Sequence, residues 1–336
     1  MTDVLNKIAV IGCGSWGTAL AEIFCRAGRD VTIYARDTGL AAKINTAHEN
    51  DFYLAGEKLH EKLKATADIG QAVEGAEIIV LATPAQFLRD ALKKFAPHLQ
   101  KTVPLINAAK GIEVATGQLL SEVVAEAAPG HPYAVLSGPS FATETVKGLP
   151  TAITLAVSVD DATGELWANS IRGPAFRPYM SDDIIGVEIA GALKNVIAIA
   201  CGIVEGRKLG QNAKAAVMTR GIAEIRRLGV ARGAKPETFL GLAGLGDLVL
   251  TCSSMTSRNF SLGYEFGQGK TLEEIMGSRR TVSEGVATAK AVAGYAGKYG
   301  VDMPICLGVD AILHGGADVD SIIRDLLSRD LKKESA

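Results

Sequence analysis

Aromatic side chains are scarce, 5% of 336 residues, which argues against a core built from large rings. Glycine is plentiful by contrast, at 37 positions, and implies tight backbone approaches and closely packed helices. An excess of charge of one sign is also lacking. Thirty-five basic residues stand against 37 acidic ones, a formal net charge of -2, and no long basic block occurs. That argues against a dedicated nucleic-acid protein. An anionic small substrate stays open, because a few local residues set the charge of a cleft. The five cysteines, Cys13, Cys25, Cys201, Cys252 and Cys306, form no CxxC pair. An odd number cannot all pair within one chain, and their small or apolar neighbours suit reduced core thiols in a cytosolic protein. The five histidines, at 48, 60, 98, 131 and 314, give no metal-ligand spacing and read as surface or interface residues. The first residues lack a signal peptide's apolar stretch and cleavage site, and no uninterrupted apolar run reaches transmembrane length. The expectation is a cytoplasmic protein without an integral membrane segment. Hydrophobic residues make up 48% and charged residues 21%, and the length allows two ordinary domains.

The N-terminal half alternates strand and helix. KIAVI (7–11) reads as an apolar strand. Residues 15–27 read as a helix with Ala19, Leu20, Ile23 and Phe24 on one buried face and Gly28 as its C-cap. VTIYAR (31–36) is the second strand, and EIIVLATP ends another at Pro84, before a helix over 85–96. TVPLIN (102–107) is a strand whose internal proline weakens a central placement. A helix over 116–127 and strands at 133–137, 151–158 and 174–180 follow. Continuous apolar strands between helices argue for a largely parallel sheet covered on both faces. Beyond 186 strands become scarce. Helices are expected near 186–205, 211–228, 236–250, 258–267, 271–276, 283–299, 303–313 and 319–327. The fold class is therefore α/β, a Rossmann-like domain over 1–185 and a second, all-helical domain over 186–336. No flexible linker separates them, so firm packing is expected.

Gly12, Gly14 and Gly17 form GxGxxG between the first strand and the first helix, the context that makes this pattern informative. Gly12 permits the tight turn, Gly14 a close approach of pyrophosphate, and Gly17 close helix packing. The first-turn amides then face the phosphates of a dinucleotide. Trp16 inside the loop is large enough to pack over a bound cofactor. At the end of the second strand an acid would take the ribose hydroxyls of NAD, but Arg36 stands there. An arginine pairs with a 2′-phosphate and favours NADPH; Asp37 beside it would restore the NAD pattern on a shift of one residue. LATPAQ (81–86) and NAAKGIE (107–113) end strands where such sheets bind ligands. Lys110, in the second, is either a solvated turn or a reach toward an anionic substrate. SGPSFA (137–142) lines the same cleft or merely caps a helix.

In the helical half Lys194 stands out. GVEIAGALKNVIAIACG (186–202) holds only Glu188, Lys194 and Asn195 as strongly polar residues. Offsets of three and four place 188, 191, 194 and 195 along one helical face: an acid, a glycine gap, an amine and an amide. An amine there loses hydration, and desolvation lowers a lysine pKa into the range of a usable base. The competing reading is an ammonium snorkelling from a core helix to water. Further on, Asp247 interrupts an apolar run, Thr251 follows four positions later and Arg258 seven beyond that. Asp247 could hold the Lys194 ammonium. Arg258 and Asn259 offer a guanidinium and an amide to a phosphate. Glu284 could contact a ribose or serve in helix capping.

Together GCGSWGTALA, NAAKGIE, LSGPSFA, ALKNVIAIACG, GLAGLGDLVLTC and SRN resemble, in order and spacing, the motifs of the bacterial NAD(P)-dependent sn-glycerol-3-phosphate dehydrogenase family. The resemblance spans essentially the whole chain. It implies reversible reduction of dihydroxyacetone phosphate to sn-glycerol 3-phosphate for phospholipid synthesis, by a cytoplasmic homodimer. It implies Lys194 as the proton acceptor in alcohol oxidation, Asp247 as its acidic partner, and Lys110 as a lysine shared by cofactor and substrate. Gly138, Ser140, Ser257, Arg258 and Asn259 correspond to substrate contacts, with Arg258 also near the cofactor. Ser15, Trp16, Arg36, Ala142, Val282 and Glu284 correspond to cofactor contacts. Asn195 and Thr251 join the substrate candidates by their places beside Lys194 and Asp247. Two rivals stand beside this reading: a related dehydrogenase for a hydroxy acid or sugar phosphate, and a nucleotide sensor without turnover.

Overall fold

The computed structural model describes residues 3–279, 283–331 and 333. KIAVI forms β1 (Lys7–Ile11), with Ile8 and Val10 packed on one face of the sheet and Ala9 and Ile11 on the other. Both faces are covered, which is why the strand is apolar throughout. There follow α1 (Ser15–Arg26), β2 (Asp30–Tyr34), α2 (Thr38–Ala47), β3 (Lys64–Thr66), α3 (Ile69–Val73) and β4 (Ile78–Leu81). Next come α4 (Leu88–Phe95), β5 (Leu105–Asn107), the hairpin β6 (Ile112–Glu113) and β7 (Gln118–Leu119), α5 (Leu120–Ala127) and β8 (Tyr133–Ser137). This half closes with α6 (Ala142–Thr145), β9 (Thr151–Val157), α7 (Asp161–Ile171) and β10 (Phe176–Ser181). The eight-stranded sheet runs β10-β9-β8-β5-β4-β1-β2-β3. Its neighbours are parallel except β8 and β9. Strand order reverses between β1 and β4, so the crevice at their carboxyl ends is the place for a ligand.

The helical half contains α8 (Ile184–Gly206), α9 (Gln211–Ala231), α10 (Asp247–Cys252), α11 (Arg258–Gly267), α12 (Leu272–Ser278), α13 (Glu284–Tyr299), α14 (Pro304–His314) and α15 (Val319–Leu327). Helix α8 is long and apolar enough to cross a membrane, yet 89% of its most apolar window is buried inside the protein. Glycines let its neighbour touch its backbone: a Cβ on Gly202 would lie 2.1 Å from the Phe260 carbonyl, and one on Gly263 2.1 Å from that of Ile199. This is the close helix packing that the glycine-rich, aromatic-poor composition implied.

Several boundaries differ from expectation. TVPLIN is central after all, because β5 starts at Leu105 between β4 and β8. Pro104 sits just before it, where the missing N–H costs no ladder bond and its carbonyl accepts from Ile79 N at 3.1 Å. The helix expected over 236–250 breaks into a 3-10 turn (Pro236–Leu240), a π turn (Leu242–Gly246) and α10. Gly244 explains part of this: a Cβ there would lie 2.3 Å from the Phe239 carbonyl. As expected, a separate helix begins at Arg258, so Asp247 and Arg258 do not share one helix. Ala27, not Gly28, caps α1, and Gly28 follows at a φ of +81°. Helices α2, α3 and α7, strand β3 and the hairpin β6–β7 had no counterpart in the sequence, and the helix expected over 116–127 starts only at Leu120, after β7. In α2 only Ala41 and Ile44 are buried, too few for a periodic signal.

Candidate active site

The glycine turn leaves β1 and enters α1. Gly12 has a φ of +119°, and a Cβ on it would lie 2.8 Å from Ala82 at the end of β4. A Cβ on Gly17 would lie 2.0 Å from the Gly12 carbonyl, whereas one on Gly14 would meet nothing within 4 Å. The open side of Gly14 therefore faces free space at the head of α1. That helix has no side-chain cap and no acid in its first turn, so its dipole and amides are available to an anion. Ser15 Oγ donates to the Tyr53 carbonyl at 2.9 Å, and the buried Trp16 Nε1 has no partner among the described residues. Arg36 lies beyond the end of β2 and is exposed. Asp37 caps α2, accepting from Leu40 N at 2.8 Å.

Lys194 is 7% exposed in the middle of α8. Its Nζ donates to Asp247 Oδ1 at 2.5 Å and to Thr251 Oγ1 at 2.8 Å. The Thr251 hydroxyl donates in turn to the Asp247 carbonyl at 2.6 Å, one helical turn back. From the other half of the molecule Lys110 Nζ donates to Asp247 Oδ2 at 2.5 Å and to the Gly138 carbonyl at 3.2 Å. Ser140 Oγ donates to that same carbonyl at 2.9 Å. One buried carboxylate thus holds two amines. Burial lowers the Lys194 pKa to about 8; Asp247 opposes the shift and Lys110 adds to it. Asn195 is buried next to Lys194 on α8.

The Ser–Arg–Asn run begins α11. Ser257 Oγ caps the helix through Phe260 N at 3.2 Å, and Asn259 Oδ1 accepts from Gly285 N at 3.0 Å. Arg258 is exposed at the first helical position, within charge range of Glu284. Glu284 opens α13 and reaches the Ala85 amide just after β4. Burial raises its pKa to about 7, and its Oε2 has no partner among the described residues. Ala142 begins the short α6, and Val282 lies outside the described residues.

Glu188 does not turn toward Lys194. Its carboxylate accepts from Ser121 N at 2.9 Å, Ser121 Oγ at 2.5 Å and Tyr133 Oη at 2.7 Å, all in the dinucleotide half. Six residues separate 188 from 194, and at about 100° each they lie some 120° apart around the helix. Two further residues had no sequence signal. Asn50 braces the glycine turn through Cys13 O at 2.9 Å and Thr18 Oγ1 at 2.8 Å. Tyr53 lies within charge range of both Arg36 and Arg258. Both sit in a motif-free loop that only the tertiary fold brings to the turn.

A Rossmann-type sheet with an open glycine turn, facing a buried lysine–aspartate pair, defines a nicotinamide-nucleotide-dependent oxidoreductase. The comparisons narrow the class. Residues 7–163 match the profile of the NAD-dependent glycerol-3-phosphate dehydrogenase N-terminus, and residues 183–324 that of its C-terminus. A glycerol-3-phosphate dehydrogenase [NAD(P)+] of Parvibaculum lavamentivorans is 52% identical over 335 residues, covering 100% of each chain. The Caulobacter vibrioides enzyme of that name is 53% identical over 98% of this chain and 99% of its own. The crystal structure of glycerol-3-phosphate dehydrogenase from Coxiella burnetii superposes with a TM-score of 0.92 at 38% identity, covering 97% of this chain and 99% of that one. The chain belongs to the NAD(P)-dependent glycerol-3-phosphate dehydrogenase family.

Proposed function

We propose that Lys194 is the proton donor and acceptor of this chain's reaction, the NAD(P)H-dependent interconversion of dihydroxyacetone phosphate and sn-glycerol 3-phosphate that supplies lipid synthesis. The observation that carries this reading is the convergence of Lys194 and Lys110, from different halves, on Asp247 at 2.5 Å each. When bound, the reduced nicotinamide supplies hydride to the substrate carbonyl carbon. The carbonyl oxygen then gains negative charge, and the Lys194 ammonium stabilises it and delivers the proton; in oxidation the neutral amine removes it. Lys110, Asn195 and Thr251 orient the reacting oxygen and the amine beside it. Gly138 and Ser140 border the substrate. Ser257, Arg258 and Asn259 anchor the phosphate away from the reacting carbon, and anchoring supplies orientation. Following NADPH and NADH oxidation in parallel with dihydroxyacetone phosphate and with small keto acids tests the substrate; turnover only with keto acids would refute it. Arg258→Ala should raise the KM for dihydroxyacetone phosphate about tenfold or more, the worth of a hydrogen bond to a charged group. An unchanged KM would remove Arg258 from the phosphate site.

The cofactor contacts we assign are the turn Gly12, Gly14, Ser15, Trp16 and Gly17, together with Arg36, Lys110, Ala142, Arg258, Val282 and Glu284. NADPH is the preferred cofactor in this reading, with NAD also used. Its support is that Asp37 is engaged as a helix cap while Arg36 remains exposed beside the crevice. Arg36→Ala should raise the KM for NADPH about tenfold and leave that for NADH nearly unchanged. Equal shifts for both would show that Arg36 does not read the 2′-phosphate.

We place the domain boundary between 185 and 186, close to the break between the last strand, which ends at Ser181, and α8, which starts at Ile184. A homodimer fits the exposed Tyr179 and Met180 lining the cleft between β10 and the turns over 236–246, together with the exposed Leu240 of those turns. A monomeric mass by light scattering at assay concentration would set that aside. We place the enzyme in the cytoplasm, where its five thiols stay reduced; cell fractionation tests the location.

A further inference from the structure

Beneath the Lys110 stem lies a small cavity at the junction of the two halves. Lys110 and Gly111 line it from the end of β5, Ser137 from the end of β8, and Glu188 and Gly191 from α8. It offers a water's centre about 10 Å³, roughly what a single buried water requires when it finds several polar partners. Two of the lining groups have hydrogen-bonding capacity to spare. Ser137 is 1% exposed, and its buried Oγ has no partner among the described residues. A buried hydroxyl without a partner is costly. The Glu188 carboxylate accepts three protein hydrogen bonds, and a carboxylate has about four acceptor sites.

Gly191 makes the space. A Cβ on it would lie 2.7 Å from Ser137 Oγ, but 3.7 Å from Ser137 Cβ and 3.7 Å from Lys110 Cγ. The glycine gap in α8 is therefore taken up by the Ser137 hydroxyl, which Gly191 admits to the cavity beside the stem of Lys110. Ser137 is also the residue before Gly138, whose carbonyl accepts from Lys110 Nζ. We propose that Ser137 and Glu188 hold one water in this cavity and, through it, position Lys110 for the reaction. This rests on the role assigned above to Lys110. Neither residue reaches the substrate. Glu188 is fixed by Ser121 and Tyr133, and the water transmits that fixed point to the turn carrying Lys110. Without it Ser137, and with it the Gly138 carbonyl that accepts from Lys110 Nζ, loses its tie to Glu188, and the ammonium gains freedom to leave Asp247.

The test fills the cavity without a clash. In the double variant Ser137→Ala/Gly191→Ala the new methyl meets a methyl and a methylene at van der Waals distance, and the water is displaced. Glycine to alanine inside a helix should leave the thermal midpoint unchanged or higher. The kcat/KM for dihydroxyacetone phosphate should nonetheless fall about tenfold, the effect of slightly misplacing a positioned group. The dissociation constant of NADPH should stay within about twofold, since the glycine turn and Arg36 are untouched. Parental kcat/KM in the folded double variant would overturn the proposal. Should that variant fail to fold, Ser137→Ala alone adds no atom and carries the same expectation. A high-resolution crystal structure of the unaltered enzyme decides the water itself. Density bridging Ser137 Oγ and the Glu188 carboxyl supports the proposal, and clear absence of density overturns it. If the unaltered enzyme does not reduce dihydroxyacetone phosphate, the functional reading fails instead, while the density still decides the water.

Discussion

Lys194→Ala should lose between about 10² and 10⁴ in kcat for dihydroxyacetone phosphate reduction, the usual contribution of a positioned general acid. That corresponds to roughly 3–5 kcal/mol of transition-state stabilisation. NADPH binding, followed by fluorescence, should remain, because the glycine turn and Arg36 are elsewhere. Residual turnover above solution rates would come from orientation by the phosphate anchor. In the unaltered enzyme the sign of the pH dependence follows from the Lys194 pKa of about 8. Reduction needs the ammonium, so its kcat/KM should fall as pH rises through that value. Oxidation needs the neutral amine, so its kcat/KM should fall as pH drops below it. The two profiles should cross near the same pH. Near-parental turnover in Lys194→Ala, or profiles that bend the same way in both directions, would end the assignment.

The parts of this site that were legible in the sequence are the local ones. GxGxxG is read from spacing alone, because the turn, the helix head and the packing glycine lie within six residues. Lys194 was legible as a charge in an apolar helix, since such a helix is costly to interrupt without a partner. What could not be read is how each charge is paired. Glu188 and Lys194 look like companions by three- and four-residue offsets, but the offsets accumulate around the helix and send the acid to Ser121 and Tyr133. Arg36 and Asp37 were ambiguous by one residue. The strand stops at Tyr34, and Asp37 caps the next helix. The break at 241–246 escaped because GLAGLG keeps a helical apolar pattern while its glycines permit a wider turn. That turn leads directly into Asp247. Val282 lies outside the described residues.

The carboxylate of Asp247 joins the catalytic amines of the two halves, and its removal should be nearly as damaging as removal of the lysine. Asp247 is 1% exposed and neutralises one of the two amines it holds. Asp247→Asn keeps the size and one acceptor oxygen but removes the charge. Two ammoniums would then sit side by side in a buried site. Breaking a buried pair costs about 3–5 kcal/mol when the remaining charge cannot be relieved. Here it can be relieved, because Lys194 can give up its proton. Asp247 is the largest influence raising the Lys194 pKa against burial, and Lys110 lowers it. Losing the first and keeping the second moves the Lys194 pKa further down. The loss of stability should therefore be smaller than the full penalty, and smaller still at high pH, where the amine is already neutral. The catalytic cost falls mainly on reduction, which needs the proton. At neutral pH its kcat should drop about 10²-fold or more, from misorientation and loss of the acid together. The alkaline limb of the reduction profile should move to lower pH. Oxidation gains neutral amine but loses the group that aims it, so it should suffer less. Measuring both directions across pH separates these effects. An alkaline limb that stays where it is in Asp247→Asn would mean that the carboxylate does not set the charge of Lys194, and that its contact with Lys110 is the one that matters.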